Sequence, residues 1–207
     1  MNIYLLDINP KMTEAWSEFF TDMEATIICD SFKHFMDTHP EIDTVVTPAN
    51  SFGLIDGSYN KAIIDYFGVD LMSTVQHAII HQWYGEQPVG TALSVPINRM
   101  SKKGDNPWDL ELIHVPTMRT PEKIADPRII YQCMRVTLIE AFSRYRNNIV
   151  IPAFGGAIGG VDPYIIAKMM FRGYESMVNP PRKLDWDHAL HVEIMLSDFL
   201  KQSNCIL

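Results

Sequence analysis

Three short stretches, TVVTP at 44–48, LIHVP at 112–116 and NIVIP at 148–152, are apolar runs that stop at a proline and give way to loops of small residues. None alternates strictly between apolar and polar, so each reads as a strand covered on both faces rather than one with a wet side. Together with runs at Ile3–Ile8, Ala25–Asp30 and Thr91–Pro96, they give six expected strands, the three proline-ended ones spanning Thr44–Pro48, Glu111–Pro116 and Asn148–Pro152. Strands buried on both sides need helices above and below.

The segments between them supply those helices. Asn9-Pro10, Asp126-Pro127 and Asp162-Pro163 each set a capping side chain before a proline that loses nothing at the first helical position. After Asp126, the residues Ile130, Cys133, Met134, Thr137, Leu138, Ala141, Phe142 and Tyr145 follow helical spacing and predict one core-facing stripe. Met12, Ala15, Trp16, Phe19, Phe20 and Met23 predict a second, and Tyr59, Ala62, Ile63, Tyr66 and Phe67 a third. Further helices are expected over 70–83 and much of 184–202. The alternation predicts an α/β three-layer sandwich with a mixed, largely parallel central sheet, in one domain over 1–207. The polar stretch 98–110 reads as an excursion between two strands whose ends are neighbours in the sheet.

Charge narrows the possible partners. A formal net charge of −8 opposes non-specific attraction to nucleic acid or an anionic membrane. An anionic ligand must then be held locally, by main-chain amides or a few cations. The expected setting is the cytoplasm, since no apolar run reaches the ~18 residues of a membrane helix and the N-terminus lacks the pattern of a secretion signal. Cys29, Cys133 and Cys205 are too scattered for a disulfide framework or a zinc knuckle. The pairs His77/His81 and His188/His191 lack an H-E-x-x-H context and read as packing or surface residues, so no metal and no cofactor is expected. No Ser, His and Asp set surrounds a nucleophile elbow.

In open α/β sheets, ligands bind beyond the carboxyl ends of the strands. ANSFGLIDGS follows Pro48, TMRTP follows Pro116 and AFGGAIGGVDP follows Pro152, and all three open on one edge if their strands are parallel. The last of these lies between a strand and a capped helix, a common phosphate cradle, although a glycine-rich turn serving only tight packing has the same composition. It is neither a Walker loop nor G-x-G-x-x-G. Asp162, as cap, would occupy the helix's free amides, so a phosphate must use amides earlier in the loop. Asn50 reads as a ligand contact or a loop cap, and Asp56, before a glycine, as a catalyst or a turn residue.

VVTPANSFG, LIHVPTMRTP and IVIPAFGGAIGG with its GVDP continuation resemble, in this order, the segments of a macro domain, the ADP-ribose-binding fold, over about residues 25–177. The resemblance implies that Asp30, with Ser31 beside it, receives the adenine. It implies that Asn50 contacts the distal ribose within a loop that includes Ser51, Phe52, Gly53 and Gly57. Phe154, Gly155, Gly156, Ala157, Ile158, Gly159 and Gly160 would enclose the diphosphate. Thr117, Met118 and Arg119 would form a wall, Arg119 touching phosphate or pairing with Asp162. Many relatives carry an aromatic residue where Gly159 stands, so Phe52 or Phe154 would take that place. The resemblance also implies hydrolysis of an ADP-ribosyl linkage, with Asn50 orienting the ribose and Asp56 positioning or deprotonating water. The partner would be ADP-ribose or an ADP-ribosylated protein. The chain resembles the macro-domain branch with P-A-N-S-F-G and A-P-T-M-R type motifs, and Asn60 stands where that branch has an acid, which favours the alternative of a non-catalytic ADP-ribose reader.

Overall fold

The computed structural model describes residues 1–55, 57–68, 70–97 and 110–203. Strands β1 (Asn2–Asp7), β2 (Thr26–Cys29), β3 (Thr44–Asn50), β4 (Leu93–Pro96), β5 (Glu111–Met118) and β6 (Asn148–Ile151) form one sheet in the order β2-β1-β6-β3-β5-β4. Every neighbouring pair is parallel except β4 with β5. The mixed, largely parallel sheet is therefore as the apolar runs predict. The six segments correspond to the six expected strands, with β3 and β5 each running two residues past its proline.

Helices α1 (Pro10–Ser17), α2 (Phe32–Thr38), α3 (Ser58–Phe67), α4 (Asp70–Trp83), α5 (Arg128–Ser143), α6 (Pro163–Val178) and α7 (Trp186–Ser203) flank the sheet. They enclose two apolar clusters. One gathers Trp16, Met134, Leu138, Phe154 and Met170 against one face of the sheet, and the other gathers Phe35, Ile63, Val75, Ile79 and Leu112 against the opposite face. Sheet residues alternate between the two: Leu5 with Ile149 and Ile151 faces the first, Leu6 with Val150 the second. This alternation, buried on both sides, is why the strands show no polar face in sequence.

Two of the three cap-proline pairs behave as predicted, at α1 and α6; at α5 the N-cap is Pro127 itself and the helix begins one residue later, at Arg128, with Asp126 bonding its first amide from outside. Asn9 Oδ1 accepts from Lys11 N at 3.1 Å, Asp126 Oδ1 from Arg128 N at 3.0 Å and Asp162 Oδ1 from Tyr164 N at 2.9 Å. Three details of the helical reading are corrected. Helix α1 stops at Ser17, so Phe19 and Phe20 pack from the turn that follows and Met23 is exposed. The α5 stripe is buried through Ala141, but Phe142 in the last turn is exposed, and so is Tyr145, which lies past the helix end at Ser143 where the backbone turns left-handed (φ 57) and Arg146 N donates to Ala141 O at 3.0 Å. Helix α2 is an addition to the expected set: its two turns bury Phe32, Phe35 and Met36.

Residues 98–109 lie outside the described residues. The ends of that excursion do meet, Ile97 N donating to Leu110 O at 2.9 Å beside the Pro96–Glu111 pair of β4 and β5. At the amino edge of the sheet, Glu111 takes Arg144 and Arg146 as partners at 2.6 and 2.5 Å, and this guanidinium pair holds its carboxyl below the usual range. The opposite, carboxyl edge carries the loops that can meet a ligand.

Candidate functional site

Because β3, β5 and β6 run parallel, the loops leaving Asn50, Met118 and Ile151 converge on one edge. They enclose a cleft of about 380 Å³ lined by Pro48, Ala49, Asn50, Leu54, Gly57, Tyr59, Asn60, Thr117, Met118, Pro121, Gly155, Ala157, Ile158 and Gly159. The cleft thus brings together Asn50, Gly57, Thr117, Met118 and four residues of the glycine loop from the expected set. Asp56 lies outside the described residues.

The glycine loop is held open by its own backbone. Val161 N donates to Gly155 O and Gly160 N to Ala157 O, each at 3.2 Å, and Ile124 N reaches Gly159 O at 3.0 Å. Gly155 and Gly160 adopt φ of 81° and 63°, a region costly for other residues. A Cβ on Gly159 would stand 2.5 Å from Gly155 O, so this position admits only glycine without a shift of the loop. Among the described residues, the amides of Gly156, Ala157, Ile158 and Gly159 have no intramolecular acceptor. Asp162 is committed to capping α6, as expected, and leaves those earlier amides as the available donors.

Asn50 is buried and spends most of its amide on its own loop. Oδ1 accepts from Phe52 N at 3.1 Å and Leu54 N at 3.3 Å, and Nδ2 donates to Leu54 O at 2.8 Å. One Nδ2 hydrogen remains for a ligand. Asn60 is similarly engaged: Oδ1 accepts from Thr47 Oγ1 at 2.9 Å and Nδ2 donates to Pro48 O at 2.8 Å, tying α3 to β3. Among the described residues, no carboxylate lines the cleft.

Beneath Asn50 lies a buried polar network that the sequence does not announce. Gln87 Nε2 donates to Thr91 O, Thr91 Oγ1 and His114 O, which turns its Oε1 toward His114 Nδ1 at 2.7 Å. An amide oxygen only accepts, so Nδ1 carries the imidazole proton. His114 Nε2 is then a bare acceptor, buried without a partner among the described residues. Burial pushes the His114 pKa down to about 3, outweighing the main chain of Asn50, which would receive a proton on that ring. Gln87 N also donates to Ser51 O at 2.9 Å and Ser51 N to Arg119 O at 3.2 Å, locking the first loop to Gln87 and to the residue just past β5. Ser51 and Gly53 thus build the loop from below, Gly53 (φ 64) seating against Val75 and Ile79.

Arg119 does not pair with Asp162. It meets Glu86 at 2.6 and 3.1 Å, which lowers the Glu86 carboxyl pKa, and its guanidinium stands 5.3 Å from the Phe52 ring centroid. Phe154 is fully buried in the core and cannot lie over a ligand. Asp30 directly follows β2, beyond β1 from the glycine loop, and its carboxylate accepts from Ser31 N at 2.6 Å and contacts His34 Nδ1. That histidine contact is the main cause lowering the Asp30 pKa. Ser31 is the N-cap of α2, accepting from His34 N at 3.3 Å. Neither lines the cleft itself, nor do Phe52, Gly156 and Gly160.

The comparisons with known proteins agree with this architecture. The chain is 28% identical over 134 residues to an uncharacterized protein of Aquifex aeolicus, a span of 64% of this chain and 73% of that one. Its fold is similar to the Oceanobacillus iheyensis macrodomain solved with ADP, with TM-score 0.56 and 16% identity over 78% of this chain and 86% of the other. It is similar also to the macrodomain of Mycobacterium tuberculosis DarG, with TM-score 0.54 and 13% identity over 66% and 84%. The Macro domain family model matches residues 46–170, which include all the cleft-lining loops and more than half of the sequence. The chain belongs to the macro domain family.

Proposed function

We propose that the cleft binds ADP-ribose, free or attached to a protein, and that the protein hydrolyses the linkage at the distal ribose. The observation that carries the binding half is the row of four unpartnered amides, Gly156 to Gly159, on the carboxyl edge of β6. In the sheet order, β3 with Asn50 lies one strand to one side, and β2 with Asp30 lies two strands to the other, roughly 10 Å away. A central diphosphate on the amides, with one arm toward Asn50 and a longer nucleoside arm toward Asp30, fits that layout. The amides neutralise the dianion in a protein whose net charge of −8 would repel it at a distance. The O. iheyensis macrodomain, solved with ADP and, as a point mutant, with ADPR, supports the choice of ligand.

For hydrolysis, the remaining hydrogen on Asn50 Nδ2 orients the ribose, and Asp56, one residue from the cleft-lining Gly57, positions or deprotonates water. Such a base contributes about 10²- to 10⁴-fold. The absence of any carboxylate among the described lining residues, with Asn60 satisfied on both ends of its amide, favours a second reading as a reader without turnover. Thermal shift with ADP-ribose, NAD, ADP and AMP tests binding, since a ligand at a hundred times its dissociation constant stabilises the native state by about 2.7 kcal/mol. Release of ADP-ribose from a modified protein by the wild type, abolished in Asp56→Ala with binding retained, supports hydrolysis. Binding with no release leaves the reader, and no shift with ADP-ribose refutes both readings.

A further inference from the structure

The segment that follows β5, residues 119–127, runs along the glycine loop. Pro121 lines the cleft, the Ile124 amide holds Gly159 O at 3.0 Å, and the Ile124 side chain occupies the space that a Cβ on Gly155 or Gly159 would fill. Between these two contacts stands Lys123. Its stem crosses Gly160, with Cδ and Cε at 3.0 and 3.2 Å from where a Cβ would be, and its ammonium lies closer still. Gly160 (φ 63) therefore serves two ends, turning the loop and leaving room for the lysine. Lys123 is exposed, and among the described residues no carboxylate pairs with it. The other cation of this segment that the sequence put forward, Arg119, is taken by Glu86.

We infer that Lys123 is the side-chain cation of the anion site, reaching from Gly160 to a diphosphate held on the amides of Gly156 to Gly159. The inference rests on the ADP-ribose reading and adds a residue to it. A charge-assisted contact of this kind is stronger than a neutral one and supplies a local attraction that a protein with excess negative charge otherwise lacks. It also adds an attraction that salt weakens, opposite in sign to the screened repulsion that the amides alone would show in a protein of net charge −8.

The test is calorimetric titration of ADP-ribose into the wild type, Lys123→Gln and Lys123→Arg, at about 50 mM and about 0.5 M salt. The expected result is affinity about tenfold weaker for Lys123→Gln at low salt, a deficit that shrinks at high salt, and substantial recovery in Lys123→Arg. Equal affinities for Lys123→Gln and wild type at low salt overturn the assignment. So does a deficit that salt does not change, because that marks a packing role for the stem. A wild type that binds no ADP-ribose fails the underlying reading, and the lysine assignment falls with it; binding by the wild type separates the two outcomes.

Discussion

Acidification should unlock the site from beneath, through His114. The folded protein holds this imidazole neutral, with its pKa down at about 3 because burial disfavours the charged ring, whereas the unfolded chain titrates near the ordinary 6.5. The folded value is depressed, so the unfolded state takes up the proton first; stability is complete above about pH 6.5 and is lost as pH falls toward 3. Each unit in that window removes about 1.4 kcal/mol, so about 2 kcal/mol is gone at pH 5 and close to 5 kcal/mol near pH 3. Urea unfolding of wild type and His114→Gln at pH 7.5, 6 and 5 measures it. The variant lacks the titrating ring and should be less stable at neutral pH yet show a slope smaller by this amount. Asp7, whose carboxyl pKa burial raises, contributes with the opposite sign, and the difference between the two proteins removes it. Proton NMR gives a check that needs no variant, because the His114 ring should show no titration between pH 8 and 5. Parallel slopes, or a His114 ring that titrates near pH 6.5, refute the reasoning.

The loop and its supports give three further expectations. Gly159→Ala places a Cβ against the Gly155 carbonyl, which cannot swing aside, and should cost about 1–3 kcal/mol and abolish the thermal shift with ADP-ribose, whereas Gly156→Ala, whose nearest contact would be 3.5 Å, should leave thermal stability nearly unchanged. Asp162→Ala removes the α6 cap and should lower stability in chemical denaturation by about 1 kcal/mol. Asn60→Asp keeps an acceptor for Thr47 but strips the donor from Pro48 O and faces it with a carboxylate; a loss of about 1–3 kcal/mol is expected in the same measurement.

The legible parts of the fold are those written in local pattern. Strands buried on both faces announce themselves as unbroken apolar runs, and cap-proline pairs announce helix starts, so the sheet and six of the seven helices among the described residues are readable. Helix α2 carries the Ser31 cap and the Phe32, Phe35, Met36 spacing, but two turns are too few for periodicity to stand out. The overlong stripe after Asp126 fails at Tyr145 for a related reason: apolar spacing continues in the sequence past the point where the backbone turns left-handed, and exposure follows the backbone. In the site, the three loops are visible as segments. The partners that fix them are not, because Gln87 meets His114 across 27 positions, and Glu86 meets Arg119 across 33. Lys123 sits in a short charged segment with no motif, and only its placement over Gly160 singles it out.

Polar groups that are already satisfied cannot also do chemistry without first giving up a partner. Asn50 retains one hydrogen, and Asn60 uses its oxygen and one N–H to join α3 to β3. The described lining therefore offers a ligand donors and apolar contact but no base. Binding needs nothing more, since amides and a ribose contact can hold a dinucleotide-like anion. Turnover needs an acceptor for a water proton, and Asp56 is the candidate nearest the cleft in sequence. The two readings thus divide on one carboxylate. If Asp56→Ala releases ADP-ribose as fast as the wild type, Asp56 has no part in the mechanism, and no residue of the described lining replaces it as base. If neither protein releases it while both bind, Asn60 marks a site whose structure favours holding over cutting, and Asn60→Asp, with Asp56 intact, becomes the direct test of whether a second acid is what turnover lacks.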